Sequence, residues 1–307
     1  MTHSLPLRDD LVALFPGQGS LVGGAGLPWR DSAHWSLVDR ISDAADIDVA
    51  QLLLEASDED VVRTDRAQIA TFALSLVGYH ELLDRGLRPR YLLGHSLGEF
   101  SALVASGLLS VDDGARLIAV RGAAMAQAAE EIEGSMIAVM GGDEEARDNL
   151  YGLTDAWVAN INGTGQIVLS GTRGGLDYVL ASHRELGWRR ATPLAVGGAF
   201  HSPLMAGAQH LLDAALASAR WGETDHVVIA NVDARAHSSA EEWRELLSRQ
   251  LTSPVQFLDA TLALPETVRW TVEMPPAGVL TGLTKRIRDF ERQISPLTPL
   301  EIQEILL

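Results

Sequence analysis

The sequence predicts an α/β fold: a mainly parallel sheet whose chain is interrupted by an inserted subdomain of ferredoxin-like pattern. Three observations carry this. Short apolar runs bounded by glycine or proline alternate with longer helical stretches, the order that βα units require. A stretch of about 60 residues then changes texture to six shorter elements in the order β-α-β-β-α-β. Beyond it the long helices return.

Taken in order, "LVALF" (11–15) reads as a short buried strand ended by Pro16-Gly17. The "GQGS" that follows lets backbone N–H groups come close to a ligand. Its spacing is not the dinucleotide fingerprint, because Gly17 and Gly19 are followed by Gly23, one residue too late. Residues 30–60 predict polar, irregular helix, and 67–86 a long apolar-rich helix that ends at Gly86. "PRYLLGHS" is a second buried strand, and "GEFSALVASG" the helix after it, closed by Gly107. Ser110 suits the N-cap of a helix whose spacing runs through Ile118, Arg121 and Met125.

In the insert, "SMIAVMG", "AWVANIN", "GQIVLSG" and "WRRATPLAV" predict strands, with "DEEARDNLYGL" and "RGGLDYVLASHRELG" as its helices. The expected boundaries are 134–197 for this small subdomain and 1–133 with 198–307 for the large one. Helices at 204–220 and 240–251 and a short strand "HVVIA" (226–230) follow. The tail "ISPLTPLEIQEILL" reads as a docked helix or a contact with another chain.

The 307 residues suit one large domain with an insert. There is no cysteine, so disulfides and thiolate chemistry are excluded. The N-terminus lacks an apolar signal core and no long apolar run occurs, so a cytoplasmic protein without membrane association is expected. A net charge of −17 speaks against nucleic acid as a partner. Positive charge clusters at Arg184, Arg189 and Arg190 and at Lys285, Arg286 and Arg288. Each cluster is either a solvated face or a contact for an acidic partner or a phosphate. No spacing of ligands suggests a metal site.

Gly94-His95-Ser96-Leu97-Gly98 matches G-x-S-x-G at a predicted strand–turn–helix junction. Such a turn exposes the serine hydroxyl, and the helix N-terminus can stabilise an oxyanion. An ordinary tight turn is the other reading. A serine nucleophile needs a base. Of the nine histidines, His3, His226 and His237 have surface-like settings, and His80 and His210 lie within helices. His95 adjoins the serine, where side chains diverge. His201 in "VGGAFHSPLM" is the best candidate, because it stands where the insert hands back to the main subdomain, a cleft edge.

Several motifs are collinear with one family. "LFPGQGS" (14–20), "GHSLGEFSAL" (94–103), "RGAAM" (121–125), "VANINGTGQIVLSG" (158–171), "GAFHSPLM" (198–205), "QLTSPVQF" (250–257) and "VLTGLTKRI" (279–287) resemble malonyl-CoA:acyl carrier protein transacylases. That family spans stand-alone fatty-acid enzymes and the acyltransferases of polyketide synthases. The resemblance covers about 11 to 290. It implies a hydrolase-like α/β core with the ferredoxin-like insert.

Residue by residue, the resemblance implies Ser96 as nucleophile and His201 as its base, with no third carboxylate. The histidine is then oriented by backbone carbonyls, one of them at Gln250. The oxyanion hole falls to the N–H groups of Gln18 and Leu97, and the carboxylate of malonyl to Arg121, whose planar fork suits it. By the same resemblance Phe200 would fill the space that a 2-methyl group needs, which favours malonyl over methylmalonyl, and Asn162 is a further substrate/CoA-binding or specificity residue. Implied partners are a CoA thioester and an acidic, phosphopantetheinylated acyl carrier protein; a monomer without metal or redox cofactor is expected. Leu21 and "EMPPAG" (273–278) depart from the family pattern, which puts the shape of the Pro275-Pro276 loop in question. An acyl hydrolase that clears carriers is the alternative activity, and a non-catalytic carrier-binding scaffold the alternative class; Arg121 speaks against the first, and Ser96, His201 and Arg121 together against the second.

Overall fold

The computed structural model of the chain describes residues 6–305. Six strands form the larger sheet: β1 (Arg8–Phe15), β2 (Pro89–Gly94), β7 (Val227–Ile229), β8 (Ala236–His237), β9 (Trp270–Glu273) and β10 (Arg292–Ile294). Four form the smaller: β3 (Ser135–Met140), β4 (Ala156–Gly163), β5 (Gln166–Gly171) and β6 (Arg190–Pro193). The helices are α1 (Ser36–Ala45), α2 (Val49–Leu54), α3 (Asp58–Val61), α4 (Thr64–Asp84), α5 (Leu97–Ser106), α6 (Val111–Glu131), α7 (Glu144–Asp148), α8 (Arg173–Ser182), α9 (Ala206–Ser218), α10 (Ala240–Gln250), α11 (Phe257–Leu262), α12 (Val279–Ile287) and α13 (Pro299–Gln303).

The larger sheet has the order β10-β9-β1-β2-β7-β8, and every pair is parallel except β7 with β8. Central β1 shows why it needs cover on both faces. Leu11, Ala13 and Phe15 point into the main core, while Val12 and Leu14 point into a second core with Phe257 and Leu280. Helix α4 is buried on nearly all sides, from Ala67 to Leu82, which explains its apolar surplus. Its N-terminal turn reaches the edge where β1 ends, with Thr64 Oγ1 donating to Gln18 Oε1, and the Asp65 backbone packs against Gly122 in the middle of α6.

The smaller sheet has the order β4-β5-β3-β6 with all neighbours antiparallel, the ferredoxin-like arrangement. Its two faces differ. Ile137, Val139, Ile167 and Leu169 pack under α7 and α8 in a core of their own. Met136, Ala138 and Val168 face the larger subdomain and join its core.

Some elements differ from the sequence reading. Helix α7 is five residues, not the whole of "DEEARDNLYGL"; the chain turns out at Asn149 and Gly152. Helix α8 stops at Ser182, and the chain reverses at Gly187, whose φ is +89°. Strands β8, β9 and β10 and helices α11 and α12 were not expected. The tail resolves as a docked helix: Ile302 of α13 and Ile305 after it sit in the main core. The Pro275-Pro276 loop is buried rather than open, with the Pro275 carbonyl accepting from Ser75 Oγ of α4 at 2.7 Å. Just before it, buried Glu273 accepts from the N–H groups of Leu280 and Thr281 at 2.9 and 2.8 Å and so caps α12.

Candidate active site

A cleft of about 340 Å³ opens between the two sheets, lined by Gln18, His95, Ser96, Asn162, Phe200 and His201 among others. Its floor is the carboxyl edge of the larger sheet, where ligands of open α/β sheets gather. Its walls are the Met136, Ala138 and Val168 face of the smaller sheet and Val279, Leu280 and Leu283 of α12.

Ser96 stands between the end of β2 and the start of α5 with φ 54° and ψ −111°. A non-glycine residue there carries strain of about 1–3 kcal/mol. The flanking glycines answer a packing need. A Cβ on Gly94 would come within 2.0 Å of the Gly98 carbonyl carbon, and one on Gly98 within 1.9 Å of the Phe15 carbonyl oxygen. The elbow therefore closes only with glycine at both positions.

His201, also at positive φ (57°), brings Nε2 to 2.7 Å from Ser96 Oγ. Its Nδ1 lies 2.8 Å from the Gln250 carbonyl oxygen, so the ring proton sits on Nδ1 and the Nε2 lone pair faces the serine. Burial, and then the nearby charge of Arg121, pull its pKa down to about 3. The ring is neutral at physiological pH and ready to accept a proton.

Arg121 of α6 is 1% exposed. One guanidinium nitrogen donates to Ser96 Oγ at 3.0 Å and to Gln250 Oε1 at 2.9 Å, another to Gln68 Oε1, and the guanidinium carbon lies over the Phe100 ring, 5.5 Å from its centre. All three hydrogen-bond partners are uncharged, and Nε has no partner. Burial pulls the guanidinium down to about 9, opposed by the charge of Glu99, so it stays charged at neutral pH. A buried cation held by neutral groups beside a serine hydroxyl is a ready site for an anionic substituent.

The other expected residues are distributed around this centre. Leu97 is the first residue of α5, and its N–H is one of those that a helix start leaves without an intrahelical partner. Gln18 lines the cleft, its side chain accepting from Thr64 Oγ1 at 2.5 Å. Phe200 lines it too and is 4% exposed. Asn162 Oδ1 lies 2.9 Å from His95 Nε2, so the His95 ring turns away from Ser96 toward β4. Two surface assignments need correction. His226 is half-buried with Nδ1 2.8 Å from the Pro89 carbonyl oxygen, and His237 is held between Asp233 and Glu242. His3 lies outside the described residues. Among the described residues no group of three or more His, Asp or Glu could hold a metal ion.

Three residues of the site were not anticipated. Gln68 anchors Arg121. Asn231, two residues past the end of β7, accepts from Ser96 N–H at 2.7 Å through Oδ1 and donates to the Gly94 carbonyl at 2.7 Å. Glu99, fully buried in the first turn of α5, accepts from Asn231 N–H at 2.6 Å and from Gln250 Nε2. A polar residue just past the end of a buried strand is a signal that could have found Asn231. Glu99 looks in sequence like any acid in a helix's first turn.

The family described as "Acyl transferase domain" matches residues 12–297. The malonyl CoA-acyl carrier protein transacylase of Bacillus subtilis is 35% identical over 306 residues, which is 96% of each chain. The crystal structure of malonyl-CoA:acyl carrier protein transacylase from Xanthomonas oryzae superposes with a TM-score of 0.90 at 34% identity, covering 97% of this chain and 98% of that one. A malonyl-transacylase solved in complex with its type II PKS acyl-carrier protein superposes at 0.88 with 30% identity, covering 96% and 98%.

Proposed function

The chain belongs to the acyl transferase domain family, and from that premise we propose that it moves a malonyl group from malonyl-CoA to the phosphopantetheine thiol of an acyl carrier protein, by way of an ester on Ser96. The observation that carries the reading is the position of Ser96 Oγ, 2.7 Å from a neutral His201 and 3.0 Å from the buried guanidinium of Arg121. A nucleophile, its base and a carboxylate anchor thus converge on one atom.

In this reading Ser96 Oγ attacks the thioester carbon as His201 Nε2 takes its proton. The Gln250 carbonyl holds the ring in the required tautomer and offsets the imidazolium as it forms. The N–H groups of Gln18 and Leu97 stabilise the oxyanion. The tetrahedral centre collapses, the C–S bond breaks and His201 returns the proton to the departing CoA thiolate. Arg121 pairs with the free carboxylate of malonyl, and that negative charge also offsets the cation that depresses His201. The carrier's thiol then attacks the ester with His201 as base, and Ser96 regains its proton. The reaction needs no metal or redox cofactor. Phe200 sets a preference against a 2-methyl group worth about 1–3 kcal/mol.

The test is a competition of malonyl-CoA, methylmalonyl-CoA and acetyl-CoA for the protein, read by intact mass and peptide mapping. The malonyl adduct is expected to dominate on Ser96 in the native protein. In Arg121→Ala the preference for malonyl over acetyl should fall about 100-fold, as for the loss of a charge-assisted anchor. Equal acetyl and malonyl labelling of the native protein would contradict the role of Arg121.

A further inference from the structure

We infer that Glu99 is a positioning residue for the nucleophile: through Asn231 and Gln250 its carboxylate holds both sides of the strained Ser96 backbone unit. The inference rests on reading Ser96 as the nucleophile. It starts from the conformation of Ser96, at φ 54° and ψ −111°, which must be maintained by its surroundings.

Both backbone polar groups of Ser96 are held by side chains. Its N–H donates to Asn231 Oδ1 at 2.7 Å, and its carbonyl accepts from Gln250 Nε2 at 3.0 Å. These two side chains come from distant segments, one after β7 and one at the end of α10. They share one partner. Glu99 Oε1 accepts from Asn231 N–H at 2.6 Å, and Glu99 Oε2 accepts from Gln250 Nε2.

The carboxylate also decides which way the Gln250 amide points. Its NH₂ must face Glu99, so Oε1 faces Arg121 and accepts from it at 2.9 Å. The same residue gives its backbone carbonyl to His201 Nδ1 at 2.8 Å. One buried carboxylate therefore underlies the nucleophile's backbone and the amide that steadies Arg121. It does so without touching the reacting atoms. Two donors converge on it from opposite sides, and only a carboxylate offers an acceptor to each. A glutamine there would present an NH₂ to one of them and force either Asn231 or Gln250 away.

The experiment compares native protein with Glu99→Gln, scoring the folded fraction by circular dichroism and thermal melting. Ser96 is labelled with a fluorophosphonate, which bonds phosphorus to Oγ and releases fluoride without needing malonyl-CoA or Arg121. The expected result is labelling of folded Glu99→Gln about 10- to 100-fold slower than native. A role confined to stability would lower the melting temperature and leave the labelling rate per folded molecule at the native value, and that result overturns the inference. Should Glu99→Gln not accumulate as folded protein, Asn231→Ala carries the same test, since it removes the partner of the Ser96 N–H while Glu99 remains. Native-rate labelling of that variant is equally fatal. Failure of the native protein to label at Ser96 would instead sink the nucleophile reading itself.

Discussion

At the residue scale the centre is governed by three buried titratable groups whose shifts differ in sign. Burial and the charge of Arg121 lower His201 to about 3, and burial lowers Arg121 to about 9. Burial raises Glu99 to about 7, against the hydrogen bonds from Asn231 and Gln250 and the charge of Arg121, with Asp233 adding to the rise. His201 is thus already a base well below neutrality and contributes no limb between pH 5 and 8. Glu99 takes up its proton as pH falls through about 7 and then presents an O–H where an acceptor is needed. Because its folded pKa exceeds its unfolded one, this group's contribution to stability falls as pH rises from about 4.5 to about 7, so activity and stability diverge there. The kcat/KM for malonyl-CoA is predicted to drop below about pH 7, and Glu99→Gln should abolish that limb. A limb that persists unchanged in the variant belongs to another group. Little of this was legible in the sequence. Ser96 announced itself through G-x-S-x-G, and Arg121 through resemblance to a family. Glu99 and Asn231 gain their roles only from segments that meet in space.

At the element scale the elbow between β2 and α5 is the tightest junction. The clash that a Cβ on Gly98 makes is with the Phe15 backbone of a central strand, which cannot move aside. Gly98→Ala is predicted to cost more than about 4 kcal/mol, at the extreme of single substitutions. Gly282, inside α12 with open space around it, makes the contrasting case. Gly282→Ala should gain about 0.5–1 kcal/mol from helix propensity. Thermal unfolding of the two variants checks both, and a native melting point for Gly98→Ala would contradict the packing argument. The long elements were readable because periodicity needs length to show. Strands β8 and β10, of two and three residues, have none. Strand β9 was hidden by Glu273, whose charge suggests exposure until its capping of α12 is seen.

For the whole molecule, the proposed transfer raises the question of how a chain of net charge −17 would meet a carrier that the family resemblance implies is acidic. One residue of each basic cluster lies by the cleft: Arg286 reaches its rim, and Arg189 packs beside the turn next to it. Arg286 donates to Gln166 Oε1 at 2.7 Å, and Gln166 lines the cleft. The neighbouring Gly165 carbonyl accepts from Gly141 N–H at 2.8 Å, and Gly141 packs against the Arg189 side chain. Arg288 is not part of this rim. It donates to the carbonyls of Leu264, Pro265 and Val268 and serves the fold. Lys285→Glu with Arg286→Glu is therefore predicted to lower kcat/KM for the carrier about tenfold at low salt, with the difference shrinking as ionic strength rises. Unchanged carrier kinetics together with a raised KM for malonyl-CoA would assign the rim to CoA phosphates instead.

The central claim, transfer through Ser96 to a carrier thiol, is tested most directly by a chase. The malonylated protein is separated from malonyl-CoA, mixed with phosphopantetheinylated carrier protein, and both masses are followed in time. The malonyl mass is predicted to leave Ser96 and appear on the carrier thiol faster than free malonate accumulates. Release of malonate with the carrier unmodified would contradict the account and make the protein a hydrolase.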